Sequence, residues 1–154
     1  MKKLLTLLSC LLLIGCEEKQ PAEPPLTDAE LVRELCSACI DRDLERAASA
    51  IRDGADVNTL ECGGYNSDTP LLLAVHNRSK EIVELLIENG ADVNLTLLGS
   101  EYHYLRGGTN ALDFALQNNF SKIAAILREH GGQTKFSDEQ IKGFAENYPN
   151  GRRR

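Results

Sequence analysis

The chain has 154 residues, 17 Lys+Arg against 23 Asp+Glu, a net charge of −6 at pH 7 and only 5% aromatic residues. Hydrophobic residues make up 42% and are spread along the length, which excludes a wholly disordered chain and fits one domain of ordinary size. A single apolar stretch near membrane length, at the extreme N-terminus, excludes a polytopic membrane protein, and the acidic balance argues against nucleic acid as a partner.

That first stretch reads as an address. Met1-Lys2-Lys3 precedes an apolar run from Leu4 to Gly15, too short for a spanning helix and of the kind a secretory signal carries. It ends in Leu13-Ile14-Gly15-Cys16, which resembles the lipobox of bacterial lipoproteins. The resemblance implies a signal peptide over 1–15, cleavage before Cys16, acylation of Cys16 as the lipid attachment site, and a place in the cell envelope. Glu17 after that cysteine resembles the outer-membrane sorting pattern, so a Gram-negative host would hold the protein facing the periplasm. Loss of residues 1–15 removes Lys2 and Lys3 but no acid, taking the net charge from −6 to −8. Residues 16–27, rich in proline and charge, are expected to be a flexible tether.

The body then repeats itself. Thr27-Asp28-Ala29-Glu30 has the form of a capping box before a helix over Leu31–Ile40, and Leu44–Asp53 follows as a second helix. Gly54-Ala55-Asp56-Val57-Asn58 comes next and recurs intact as Gly90-Ala91-Asp92-Val93-Asn94, 36 residues later. Between the copies, Thr69 caps and Pro70 opens a helix with Leu71, Ala74 and Val75 on one side. Ile82, Leu85 and Leu86 then form the apolar stripe of Glu81–Asn89, and Gly90 is suited to the left-handed turn that ends it. Asn110 to Ala115 and Lys122–His130 make a third pair before a worn copy, Gly131-Gly132-Gln133-Thr134. Ser137-Asp138-Glu139-Gln140 is a further capping box, opening a last helix to about Asn147.

Thr69-Pro70-Leu71-Leu72-Leu73-Ala74-Val75 followed by Glu81 to Asn94 resembles nearly a whole ankyrin repeat. The resemblance implies an all-α solenoid of about three helix pairs with hairpin fingers over 28–135, and a capping helix with a basic tail over 136–154. Both spacings exceed the usual period of about 33 residues. The extra residues fall in Leu60–Asn66 and Leu95–Gly108, where the family's fingers project. Ankyrin proteins bind through finger tips and the concave face of their first helices. By position, that face includes Leu73, Asn77, Phe114 and Gln117, while the longer finger carries Tyr102, Tyr104 and Arg106, residue types common at interface anchors.

Catalytic chemistry finds no footing. Cys36 and Cys39 form a C-x-x-C in mid-helix, away from the helix start that stabilises a reactive thiolate. In an oxidising compartment Cys62 pairs with Cys36 or Cys39, an alternative that spacing leaves open. The three histidines, His76, His103 and His130, form no metal-binding pair, and no nucleophile elbow or phosphate loop occurs. The expectation is a membrane-tethered, monomeric, non-catalytic module that binds another protein, without catalytic residues, metal or cofactor. The alternative is an immunity or inhibitor protein that neutralises a secreted toxin or enzyme in the periplasm.

Overall fold

The computed structural model describes residues 26–62, 68–95 and 110–147. Cys16, Tyr102, Tyr104, Arg106 and His103 therefore lie outside the described residues, as do the signal segment, most of the tether, most of both finger insertions and the basic tail. Among the described residues there are seven helices and no strand: α1 (Asp28–Asp41), α2 (Leu44–Arg52), α3 (Pro70–His76), α4 (Lys80–Glu88), α5 (Ala111–Gln117), α6 (Ser121–Glu129) and α7 (Asp138–Asn147). None of them is long and apolar enough to cross a membrane.

The helices stack in two rows. α1, α3, α5 and α7 pack in sequence along one row, and α2, α4 and α6 along the other. This is the solenoid that the ankyrin resemblance implies. α7 lies against α5 as α5 lies against α3, so the last helix closes the inner row in the place of a fourth first helix.

The pairs match in burial position by position around one alanine. Ala38, Ala74 and Ala115 are fully buried at equivalent points, where a larger side chain would hold the two rows apart. Leu35, Leu71 and Leu112 lie three residues before them, and Ala47, Val83 and Ala124 answer from the second helices; all are buried. The stripe expected on α4 needs one adjustment. Ile82 and Leu86 are fully buried, but Leu85 is half-buried and Val83 takes the remaining interior place. The outer row also changes character along its length. Ile51 and Ile87 pack against the core, whereas the equivalent residue of α6 is the exposed Arg128.

Most helix ends within the stack have a local cause, while Ser79 and Phe120 open α4 and α6 without a side-chain cap. Asp43, Thr69 and Asn110 cap α2, α3 and α5 by accepting from the backbone N–H of Arg46 (3.0 Å), Leu72 (3.1 Å) and Asp113 (2.8 Å). At α1 the Glu30 carboxylate accepts from both the N–H and the hydroxyl of Thr27, at 2.8 and 2.7 Å. Second helices end on a left-handed glycine, Gly54, Gly90 or Gly131, with φ of 107°, 88° and 81°. First helices turn through a left-handed residue that is not glycine: Arg42, Arg78 or Asn119, with φ of 62°, 58° and 57°. In each case the next N–H returns to a carbonyl five residues back, such as Ser79 N to Ala74 O at 3.0 Å and Ala91 N to Leu86 O at 3.0 Å.

The recurring pentapeptide is explained position by position. Ala55 and Ala91 are buried, Asp56 and Asp92 accept from the N–H of Asn58 (2.9 Å) and Asn94 (2.8 Å), and Val57 and Val93 pack on the core. The worn third copy has Gly132 in place of alanine. A Cβ there would stand 2.6 Å from the Leu127 carbonyl oxygen.

Candidate interaction surface

Equivalent positions of the inner helices line up as rows across the stack. One row is Ser37, Leu73 and Phe114, all half-buried. The next is Ile40, His76 and Gln117. Ile40 is 51% exposed, His76 is exposed, and Gln117 is half-buried with its Nε2 enclosed and without a hydrogen-bond partner. Leu73 and Phe114 both pack against the core with one side only, so each presents apolar surface at the edge of the inner row.

Around Phe114 the side chains form a continuous aromatic strip. The His76 ring lies 5.5 Å from the Phe114 ring, Phe114 meets Phe120 edge-on at 6.2 Å, and the Arg78 guanidinium sits 4.4 Å above Phe120. The strip therefore runs from the end of α3 to the turn after α5, with a cation over one end.

Of the four residues placed on this face by position in the sequence, Leu73, Phe114 and Gln117 stand on its two rows. Asn77 has other work. Its Nδ2 donates to Leu73 O at 2.9 Å, and the equivalent Asn118 does the same to Phe114 O at 2.9 Å, so both close their own helices. His76 is the residue of α3 that matches Gln117. Ile40, His76, Arg78 and Phe120 adjoin these two rows and were not among the four; setting Ala38, Ala74 and Ala115 in register would have found the first two.

The electrostatics vary along the stack. At the first pair Arg46 holds Glu34 (2.7 Å) and Asp41 (2.8 Å), and its guanidinium keeps the Glu34 carboxyl below the usual carboxylate range. On α4, Lys80 pairs with Glu84 at 3.0 Å. These pairs are well exposed and screened, and they set local charge more than stability. Among the described residues no cluster of three or more His, Cys, Asp or Glu side chains is placed to hold a metal ion.

Cysteine chemistry is structural in appearance. Cys36 of α1 is joined to Cys62, in the loop between α2 and α3, by a disulfide with Cα atoms 5.2 Å apart. Of the two pairings the sequence leaves open, this is the one the structure contains. Cys39 is a free thiol, fully buried, and burial pushes its pKa up to about 12. That removes the thiolate a redox catalyst needs.

Comparison with known proteins agrees with this architecture. The family model for ankyrin repeats (3 copies) matches residues 28–138. A fowlpox virus (strain NVSL) ankyrin repeat protein is 33% identical over 88 residues, which is 57% of this chain. The chain spans 24% of that relative's length. Ankyrin repeats are in general non-catalytic modules for protein–protein interaction. With two rows of helices, left-handed turns at equivalent points and a family model over most of its length, the chain belongs to the ankyrin-repeat family.

Proposed function

We propose that the protein is a lipid-tethered, non-catalytic binding module of a bacterial cell envelope, which docks another protein on its inner-helix face. The observation that carries the docking claim is the strip of His76, Phe114, Phe120 and Arg78 beside Leu73 and Ile40. Apolar and aromatic side chains left half-covered at the edge of a packed row are what interface anchors look like before a partner arrives. Tyr102, Tyr104 and Arg106 extend the proposed contact into the second finger.

The envelope claim rests on the lipobox at Leu13 to Cys16, and the Cys36–Cys62 disulfide supports it, because such bonds persist in oxidising compartments. Acylation of Cys16 would hold the module at the membrane, and residues 16–27 would hold it off the lipid surface.

Crosslinking in the native host, followed by mass spectrometry, tests both parts. The wild type should be recovered in the membrane fraction with a lipid on Cys16 and one selectively crosslinked protein. A Cys16→Ser variant should leave that fraction. The triple variant Tyr102→Ala/Tyr104→Ala/Phe114→Ala should lose the crosslinked protein. Unchanged recovery would remove the docking surface, and an unmodified Cys16 would remove the tether.

A further inference from the structure

Cys36 occupies the same position in its helix as Leu72 and Asp113, six residues before the left-handed turn residue of each pair. In two of the three pairs this position fastens the loop that follows. Asp113 accepts from the Thr134 hydroxyl at 2.6 Å and from Lys135 N at 3.4 Å, while Cys36 is covalently joined to Cys62. The middle pair has Leu72 there, buried and without a polar atom to offer.

The loop from α2 to α3 is held in two separate ways. Its first half is fixed by Asn58, whose side chain donates to Gly90 O at 3.0 Å and accepts from Asp92 N at 2.8 Å. Thr59 is buried, with its N–H on Asp56 O at 3.4 Å; beyond it, the hydrogen bonds of Leu60 to Cys62 among the described residues are short in range, Glu61 N to Thr59 Oγ1 at 3.2 Å and Cys62 N to Asp68 O at 3.3 Å. α1 does not depend on the bond in the same way. Leu31, Leu35, Ala38 and Cys39 are buried in the core on their own account. The apolar Leu72 also shows that a neutral side chain suits the interior at the Cys36 position.

We propose that the Cys36–Cys62 disulfide is a redox latch on this loop: a dithiol reductant opens it and frees residues 60–62, while the helix stack stays folded. Cys62 is half-buried and Cys36 is buried, so the sulfur open to attack is that of Cys62. A reductant thiolate bonds to the Cys62 sulfur, the S–S bond breaks, and Cys36 leaves as a thiolate that takes up a proton. The second thiol of the reductant then attacks the mixed disulfide and releases Cys62 as a thiol. Two electrons and two protons pass from the dithiol, which ends as its own disulfide. Cys39 takes no part, being sealed in the core and protonated. The latch concerns this chain alone and stands whether or not a docking partner exists.

Hydrogen exchange on the full chain, with and without dithiothreitol, tests this. Thiol counting should show two new thiols in folded protein. The amides of Glu61 and Cys62 should then exchange roughly tenfold faster or more, with those of 31–39 and 82–86 unchanged. Cys62→Ser should show the fast pattern without reductant and no further change on adding it. A bond that resists the dithiol until the protein unfolds would overturn the latch. So would unchanged exchange at 61–62 after reduction, or a loss of protection throughout the helices in either the reduced protein or the variant.

Discussion

Asn58 and Gly90 are 32 residues apart in sequence and joined by a hydrogen bond of 3.0 Å, from the Asn58 side chain to the glycine carbonyl. The same side chain accepts from Asp92 N at 2.8 Å. One unit further on, Asn94 donates to Gly131 O at 3.1 Å and accepts from Gln133 N at 2.7 Å. The last residue of each pentapeptide thus clips its loop to the next loop in the stack. Alanine at either position should cost about 1–2 kcal/mol, two modest bonds near the surface. Asn58→Asp should be no better than alanine, because a carboxylate cannot donate to Gly90 O and would face its carbonyl. Urea unfolding at pH 7 measures all three. As a control, Asn89→Ala should cost less, since that side chain bonds only within its own helix, to Leu85 O at 2.8 Å.

Three first helices turn through left-handed residues that carry a Cβ, which costs about 1–2 kcal/mol relative to a right-handed conformation. Arg42→Gly should therefore stabilise the fold by about 0.5–1 kcal/mol, the strain relieved less the entropy that glycine adds to the unfolded chain. Arg78→Gly relieves the same strain but removes the cation over Phe120, an interaction of about 0.5–1 kcal/mol. Its net effect should lie near zero. A rise in thermal midpoint for the first variant, with the second close to wild type, would distinguish strain from stacking.

Asp68 predicts a pH dependence of opposite sign to that of the paired acids. It is 5% exposed, its Oδ1 has no hydrogen-bond partner, and burial raises its pKa while the nearby His76 opposes the shift. An acid whose folded pKa is raised favours the folded state below its unfolded pKa and loses that contribution as pH rises through the folded value. At pH 7 the ionised carboxylate therefore costs stability. Asp68→Asn should raise the thermal midpoint at pH 7, with the gain shrinking as pH falls into the acid range. Glu34 behaves in the reverse sense. The Arg46 hydrogen bond lowers its pKa, so its contribution is present at neutral pH and is lost as pH falls through the lowered value. A Glu34→Gln variant should accordingly converge on wild type in acid.

Much of the architecture is legible in the sequence because the signals are local. A capping residue, a proline at the first turn and a glycine at the end each act within four residues, so α3 and α4 can be read almost to their ends. What the sequence conceals is register between neighbours. Asn77 looks like a surface residue by position, yet its side-chain amide turns back onto Leu73 O, which also accepts the Asn77 backbone N–H at 3.0 Å, so one residue closes the end of α3 twice. Leu85 and Val83 change places with respect to burial because α4 is packed by three helices, α3 of its own pair and α2 and α6 of the neighbouring pairs. The Cys36–Cys62 pairing depends on where a loop folds back, which no spacing fixes. Gly132 looks like erosion of the motif, but the Leu127 carbonyl is too close for the alanine found in the other copies.

The docking surface makes the prediction that separates binding from folding most cleanly. Phe114→Ala confounds the two, because the ring also touches His76 and Phe120 and its loss should destabilise the third pair. Ile40 and His76 are better probes, both exposed on the inner row: Ile40→Glu should change stability by no more than about 0.5 kcal/mol, while His76→Glu also gives up the ring contact with Phe114 and sets a carboxylate near Asp68, so its unfolding is measured beside its binding. Ile40→Glu and His76→Glu each place a charge where an apolar or aromatic contact is proposed, and a charge trapped in an interface without a counter-ion is strongly disfavoured. Each should weaken partner binding about tenfold or more, and the pair together more than either alone. Glu81 and Glu88 are exposed on α4, in the outer row, and Glu81→Lys/Glu88→Lys should leave affinity within about twofold at physiological salt. Titration of the crosslinked protein, once isolated, against all four variants by calorimetry reads the difference directly. Equal losses from inner and outer substitutions would deny the inner face a special part in binding, and a loss from the outer pair alone would move the interface to the other row of helices.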